Sequence, residues 1–321
     1  MIHHVQDRKT PADRSPRRER AVARRKRHGA GQGADLGHRQ RYLQPLLVHR
    51  GQDRPGNGRG IGVSRQRQRP QGDTNTESRQ IDTAITNQAK AIILDPANAD
   101  GSVGAVRKAV DAGIPVFLVN AEINEQGLAK AQLVSNNAQG AALGAQQWVQ
   151  TVGDSANYVE LKGAPSDNNA ATRSNGYETV LSQYPDLKKV GEDVANWDRT
   201  QGFNKMQSLL QANPDIQGVI SGNDEMALGA IAALKEAGKL DDVVVGGFDG
   251  SPDAVDAVKS GELAYTVLQP VAIFSKAAVQ MADKFITTGE TGVQGEKHLF
   301  DCILITPDNV DKYVSPFVLK Q

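Results

Sequence analysis

The sequence predicts an open, doubly wound α/β fold. Three observations carry this: one βαβ unit, a rhythm that repeats it along the chain, and a polar residue closing strand after strand. The unit runs from Asp215 to Asp253. Its first apolar run, Ile216 to Ile220, is too short for a helix and is bounded by Gly218 and Gly222. Met226, Ala230, Ala233 and Leu234 then recur at helical spacing, and Gly238 stops them. A second buried-strand run, Val243 to Val245, ends in Gly246-Gly247-Phe248-Asp249-Gly250. Two strands joined by a crossing helix lie parallel, and ligands of such sheets bind beyond the carboxyl ends of the strands. Asn223 and Asp249 each sit just past a strand end and so face one crevice. Together they offer donors and acceptors to a neutral, hydroxyl-rich ligand. A purely structural alternative stays open here: Asn223 caps the helix and Asp249 holds a turn.

Taken in order, the chain begins with a stretch unlike the rest. Residues 1–70 hold 18 of the 37 Lys and Arg against 5 acidic residues, so the other 251 residues carry 19 basic and 32 acidic groups, a net of −13. Arg, Gln, Gly, Pro and Asp dominate this leader, and its apolar residues keep neither a helical nor a strand period. Such a segment cannot bury enough surface to offset its ordering entropy, so residues 1–72 are expected to be a disordered or out-of-frame basic leader. A helix-turn-helix would need two amphipathic helices around a tight turn, and none is readable, so no nucleic-acid partner is expected. Five of the six histidines lie in the leader and only His298 in the body, which argues against a histidine triad or a histidine-rich metal site. The single cysteine, Cys302, excludes an intramolecular disulfide. No apolar run approaches a membrane span, and no signal peptide is readable.

Order is expected from Asp73. Thr74-x-x-Glu77 has the form of a capping box, with Ile81, Ala84 and Ile85 as the apolar face behind it. Ala91 to Leu94 reads as a strand ending at Asp95-Pro96. Val103, Val106 and Val110 mark a helix stopped by Gly113, and Pro115 to Val119 reads as a strand ending at Asn120. Ser135-Asn136-Asn137 precedes a helix over residues 138–149, and a strand covers Tyr158 to Leu161. After the polar loop Lys162 to Asn169, a helix over 170–184 carries Arg173 and Tyr177 one turn apart. Val190 to Val194 leads to Asn196-Trp197-Asp198, and a helix follows from Thr200 to Ala212. Beyond the central unit come a helix near 252–260, a strand Ala264 to Leu268 ending at Gln269-Pro270, a long helix to about Thr287, and a last strand Leu299 to Ile305.

The strand-end residues are Asp95, Asn120, Asn223, Asp249 and Gln269, joined by Arg173 and Trp197 from loops or helix starts. A carboxylate pair, amides, a guanidinium and one flat aromatic face suit a sugar: polar groups take the hydroxyls and the indole takes the apolar ring face. Trp197 as a core residue and Arg173 as a surface charge are the alternatives. No nucleophile with its base, no phosphate loop and no metal cluster is readable, so neither catalysis nor a cofactor is expected.

Four stretches resemble the periplasmic ribose-type (type I) sugar-binding proteins of ABC importers: G-V-I-S-G-N-D-E-M-A-L-G-A (218–230), V-V-G-G-F-D-G-S-P-D (244–253), A-N-W-D-R (195–199) and D-A-G-I-P-V (111–116). The resemblance covers the chain from about Asp73 to Gln321. It implies two doubly wound, Rossmann-like lobes, 73–135 plus 270–301 and 136–269 plus 302–321, joined by three crossings and closing on a monosaccharide or polyol. It further implies a monomer in the periplasm, a membrane permease as partner, and ligand contacts at Asp95, Asn120, Arg173, Trp197, Asn223, Asp249 and Gln269. A sugar-sensing effector domain of a LacI-type transcription regulator is the alternative with the same fold.

Two departures from the pattern stand out. Ribose-type relatives place Asp-Arg where this chain has Asn120-Ala121, which points to another pentose, a polyol or a branched sugar. The family's first strand and helix should precede residue 73 and are not readable there. Shifted by one base, the codons of Tyr42 to His49 permit Thr-Tyr-Asn-Pro-Phe-x-Phe, which contains the family's first ligand loop. The same shift permits a signal-peptide core over Ala21 to Gly33 and an x-Leu-Gly-Tyr-like segment at Gly60 to Val63. Residues from about 20 to 70 are therefore expected to be an out-of-frame reading of the family's own N-terminus.

Overall fold

The computed structural model describes residues 72–314 and 317–320, with the backbone of two strands at 46–50 and 61–65. All of these belong to one compact unit, residues 39–321. The chain order is β1 (Leu46–Arg50), β2 (Ile61–Arg65), α1 (Thr74–Thr86), β3 (Ala91–Leu94), α2 (Val103–Asp111), β4 (Val116–Val119) and β5 (Ala131–Ser135). There follow α3 (Asn137–Val152), β6 (Ser155–Lys162), α4 (Asn168–Leu181), β7 (Asp186–Val194), α5 (Arg199–Ala212), β8 (Gly218–Ser221), α6 (Asp224–Glu236) and β9 (Val244–Asp249). The chain closes with α7 (Pro252–Ser260), β10 (Tyr265–Leu268), α8 (Val271–Thr288), β11 (Lys297–Phe300), β12 (Ile303–Ile305) and a short strand pair, β13 (Tyr313–Val314) with β14 (Val318–Leu319).

These elements make two six-stranded sheets, ordered β11-β5-β4-β3-β1-β2 and β12-β10-β9-β8-β6-β7. In the first, β3, β4, β5 and β11 run parallel, while β1 pairs antiparallel with β3 and with β2. In the second, β6 to β10 are parallel and β12 is antiparallel to β10. Buried apolar strands such as β3, β4 and β8 read as continuous hydrophobic runs because helices cover both faces. Ile81, Ala84, Val106 and Ala109 of α1 and α2 pack on one face of the first sheet, and Phe274, Ala278 and Ala282 of α8 on the other. On the second sheet, Ala141, Ala145, Trp148 and Tyr177 of α3 and α4 oppose the residues of α5, α6 and α7. Each sheet is thus wrapped on both sides, the doubly wound architecture read from the sequence. The helices α5 and α6 touch almost backbone to backbone: a Cβ on Gly229 would lie 2.2 Å from the carbonyl oxygen of Arg199.

The chain passes between the sheets three times: after β5, after β10, and between β11 and β12. Hydrogen bonds tie the crossings together. Asn136 donates from its backbone to Phe300 O (2.7 Å) and from its side chain to Asp301 Oδ1 (2.8 Å), and the Cys302 backbone donates to Gln139 Oε1 (2.9 Å). Cys302 is a buried free cysteine, its thiol pushed up to about 12 by burial.

The structure corrects four details of the sequence reading. The stretch expected to lack regular structure contains β1 and β2; β1 covers Leu46-Leu47-Val48 and pairs antiparallel with β3. The rest of the leader, including the expected signal-peptide core and the first four residues of the expected ligand loop, 42–45, lies outside the described residues. The helix cap at α1 is Asp73, whose Oδ1 accepts from Asn75 N, and Thr74 is already helical. Glu77 is fully buried and accepts from the Ala97 backbone N–H at 2.7 Å, so it anchors the loop after β3 and does not close a capping box. The strand expected over 299–305 is two strands, because Asp301-Cys302 is a crossing from one sheet to the other. The strand β5 was not expected at all. Its Gln132 looks out of place in a buried strand, but its Oε1 accepts from Ile123 N and its Nε2 donates to Glu296.

Candidate functional site

In the second sheet the order β7-β6-β8-β9-β10 reverses direction between β6 and β8. Such a reversal opens a crevice at the carboxyl ends of the two strands. Gly163 follows β6 and Gly222 follows β8, and the Trp197 indole lies over both. A Cβ on Gly163 would meet the indole at 2.0 Å, so only glycine lets the ring lie there. Trp197 itself has φ +63° and its neighbour Asn196 φ +50°. Asn120 (φ +69°) and Asp249 (φ +128°) are also in the left-handed half of the map. Backbone strain of this kind in non-glycine residues gathers at ligand clamps.

Arg173, on α4, is the centre of the polar cluster and is only 3% exposed. Its Nε donates to Asn137 Oδ1 (2.8 Å), and its Nη1 to Gly222 O (2.8 Å) and Asp249 Oδ1 (3.2 Å). The guanidinium carbon lies 3.7 Å from the centroid of the Phe248 ring beneath it and 5.4 Å from that of Trp197. Stacking and a fixed fork of donors hold the charge in one orientation. Gln269 donates to Asp249 Oδ1 (2.6 Å) and accepts from Ser135 Oγ (2.8 Å), which reaches the first sheet. From the other side, Asn137 Nδ2 donates to Asn169 Oδ1 (2.8 Å), and Asn169 Nδ2 to Asn120 O (3.1 Å). Asn120 Nδ2 lies 3.3 Å from both Asp95 oxygens. One run of hydrogen bonds therefore joins Asp95, Asn120, Arg173, Asp249 and Gln269.

Asn223 is N-cap of α6, its Oδ1 accepting from Met226 N (2.9 Å), and its amide nitrogen lies 3.4 Å from Trp197 O. The capping role weighed for it is therefore real, and the same residue steadies the Trp197 turn. Trp197 is half-buried, packed against the core of the second sheet, and its indole nitrogen has no hydrogen-bond partner in the structure. Arg173 is no surface charge.

Three residues of the cluster were missed: Asn137, Asp167 and Asn169. All three sit at helix starts, where a polar residue reads as a cap, and Asp167 does cap α4 through Asn169 N. The signal that separates Asn137 and Asn169 from ordinary caps is burial, which sequence does not print. Three further contacts bring the start of α4 onto the first sheet: Ala99 N–H to Ser166 O (2.9 Å), Asn168 Nδ2 to Asn124 Oδ1 (2.7 Å), and the Asn169 bond to Asn120.

Two carboxylates at this junction are perturbed. Asp95 keeps part of its surface accessible, yet protein surrounds it closely enough that burial pushes its carboxyl well above the ordinary range. The Asn120 amide opposes the shift and the Asp167 charge adds to it. Asp167 is raised too, again by burial first, against the Asn169 N–H and the Arg173 charge and with the Asp249 charge. The Trp197 indole N–H, on the same side, helps hold Asp167 ionised without reaching hydrogen-bond geometry. Among the described residues no group of three or more His, Cys, Asp or Glu could hold a metal ion. A separate surface depression at the opposite ends of β9 and β10, lined by Lys235, Asp241, Ser260 and Glu262, has no such convergence of buried polar groups.

Residues 59–291 match the family model described as a periplasmic binding protein domain. The D-apiose import binding protein of Actinobacillus succinogenes is 51% identical over 241 residues, covering 75% of this chain and 77% of that protein. The ribose import binding protein of Bacillus subtilis is 33% identical over 216 residues, covering 67% and 69%. Among solved structures, an ABC transporter solute binding protein from Bacillus halodurans C-125 with bound myo-inositol superposes with a TM-score of 0.70. It is 30% identical and the match covers 76% of this chain and 83% of that one.

Proposed function

Because the chain belongs to the family of periplasmic binding protein domains, we propose that it is the sugar-binding receptor of an ABC importer and that D-apiose, or a closely related neutral pentose or polyol, is its ligand. The supporting observation is the run of buried and part-buried hydrogen bonds through Asp95, Asn120, Arg173, Asp249 and Gln269, which draws on the carboxyl ends of both sheets. A sugar entering there would meet carboxylates and amides for its hydroxyls and the Trp197 face for its ring. The relatives at 51% identity are named for D-apiose, a branched pentose, in keeping with the loss of the Asp-Arg pair at 120–121. We assign the lobes to residues 73–135 plus 270–301 and 136–269 plus 302–321, with the three crossings as the hinge. Binding then closes the lobes, and the closed receptor, a monomer in the periplasm, delivers sugar to a membrane permease without chemical change. Nothing observed favours the transcription-regulator alternative.

A thermal-shift panel tests this reading. At a sugar concentration 100 times Kd, a ligand specific for the folded state adds about 2.7 kcal/mol, which for two lobes of this size raises Tm by roughly 5–10 °C. D-apiose is expected to give the largest shift, ahead of D-ribose, xylitol and myo-inositol. No shift with any of the four would overturn the assignment.

A further inference from the structure

We propose that Thr266 and Tyr313, with Asp224 linking Thr266 to the same turn, are positioning residues for ligand binding: they grip the two peptide groups that follow Asp249 and so fix where its carboxylate points. This rests on the receptor reading above. It extends the binding machinery to the middle of β10 and to the C-terminal strand β13, where no motif marks a site.

The turn they hold is strained. Asp249 closes β9 at φ +128°, and Gly250 follows at φ +71°. A Cβ on Gly250 would lie 2.9 Å from Leu268 Cα, so the turn passes hard against β10. A non-glycine residue at such a φ persists only where its surroundings over-determine it. Here both peptide groups are held at both ends. In the first, Asp249 O accepts from the Gln269 backbone (3.2 Å) and Gly250 N–H donates to Thr266 Oγ1 (3.1 Å). In the second, Gly250 O accepts from Tyr313 OH (3.0 Å) and Ser251 N–H donates to Asp224 Oδ2 (2.7 Å). Asp224, the first residue of α6, also accepts from Thr266 Oγ1 at 2.6 Å. It reaches across β9 where Gly247 leaves room, since a Cβ there would meet its Oδ1 at 2.5 Å. Three of the four bonds on the turn therefore come from side chains, each on a different element.

The side-chain hydrogen bonds of Asp224, Thr266 and Tyr313 go to the turn, to one another and, for Tyr313, to the Phe317 N–H. None reaches the polar cluster directly, so their effect on a sugar passes through Asp249, which pairs with Arg173 and Gln269. Binding groups need to be held to within about 0.5 Å by such supporting bonds. The Thr266 hydroxyl, fully buried, uses both its roles: it accepts from Gly250 and donates to Asp224. Removing it frees one end of the peptide joined to Asp249 and leaves two buried groups unpaired.

The test is calorimetric titration of the full chain with D-apiose, or with whichever of D-ribose, xylitol and myo-inositol binds in its place. Wild type is compared with Thr266→Val, Thr266→Ser, Tyr313→Phe and a control in the α5 core, Leu210→Ala, with urea unfolding of each. Valine keeps the shape of threonine without its hydroxyl; serine keeps the hydroxyl and loses a methyl group. Thr266→Val and Tyr313→Phe are each expected to weaken binding about threefold to tenfold, the equivalent of one hydrogen bond. Thr266→Ser and Leu210→Ala should bind as wild type does while losing stability, because global stability does not enter the affinity of a chain that is folded. A merely structural role would move unfolding in all four variants and affinity in none. Wild-type affinity in either hydroxyl-free variant, or Thr266→Ser as weak as Thr266→Val, overturns the proposal alone. Should Thr266→Val fail to fold, Tyr313→Phe on its part-buried ring and Thr266→Ser decide by the same criterion of wild-type or weakened affinity. Wild type binding none of the four sugars overturns the receptor reading and the positioning role with it.

Discussion

Replacing Arg173 with Met keeps much of the side-chain volume and removes the charge. Three acceptors then lose their donor: Asn137 Oδ1 at 2.8 Å, Gly222 O at 2.8 Å and Asp249 Oδ1 at 3.2 Å. The site is 3% exposed, so water replaces the donor poorly. Removing one partner of a buried ion pair costs about 3–5 kcal/mol, because the other charge stays buried. An unpaired buried carbonyl adds about 1–3 kcal/mol. The Gln269 bond to Asp249 at 2.6 Å survives and softens the loss, so the sum is expected near the lower figures, about 3–5 kcal/mol. Arg173→Lys keeps a charge but loses the fork and the stack on Phe248, and should fall between wild type and Met. Equilibrium urea unfolding followed by circular dichroism reads the stability, and D-apiose titration reads binding, which Met should abolish. A Met variant within about 1 kcal/mol of wild type, the range of an exposed ion pair, would show that Arg173 is not the centre of the cluster.

Other outcomes follow from the same geometry. Gly163→Ala should displace the Trp197 indole from a 2.0 Å clash and, like Trp197→Ala, remove sugar-induced stabilisation; because the ring is half-buried and packed on the core, Trp197→Ala should also cost the apo protein stability, read by unfolding. Asn168→Ala deletes one cross-sheet bond outside the ligand cluster, so it should weaken D-apiose by about 0.5–1.5 kcal/mol, seen in stopped-flow as faster release with little change in capture. Asp95 and Asp167 have folded-state pKa values raised above their unfolded value near 4. The folded chain keeps those protons after the unfolded chain has released them, so stability is greatest at low pH in this respect and falls as pH rises from about 4 through the folded values. Asp167→Asn should show a shallower fall than wild type between pH 4 and 8. Sequencing the bases that encode residues 1–72 should reveal a one-base change restoring an open frame with Asn-Pro-Phe or Asn-Pro-Tyr near codon 45; absence of any such change removes the frame-slip explanation.

Much of this fold is legible because its strands are buried on both faces and end in residues that strands do not favour. Ala91-Ile-Ile-Leu94 before Asp95 and Gly218-Val-Ile-Ser221 before Gly222-Asn223 announce both the strand and its carboxyl end. The same logic found Asn120, Asp249 and Gln269. It failed where a residue's neighbours come from far along the chain. Gln132 hides β5 because its partner Glu296 lies 164 residues away. Glu77 mimics a capping box because its true partner, the Ala97 N–H, is supplied by a loop 20 residues on. Asn137, Asp167 and Asn169 look like ordinary helix caps, and only the meeting of two sheets turns them inward. The break at Asp301-Cys302 is invisible locally, since Leu299 to Ile305 is apolar at every position but Asp301 across a crossing between sheets.

A co-crystal structure of the full chain with D-apiose tests the central claim most directly. One sugar should lie where the two sheets' carboxyl ends meet, its ring against Trp197 and its hydroxyls within 3.2 Å or so of Arg173, Asp249 and Asp95 or Asn120, the distance of an ordinary hydrogen bond. Sugar bound elsewhere on the surface, or touching groups from one sheet alone, would contradict the account.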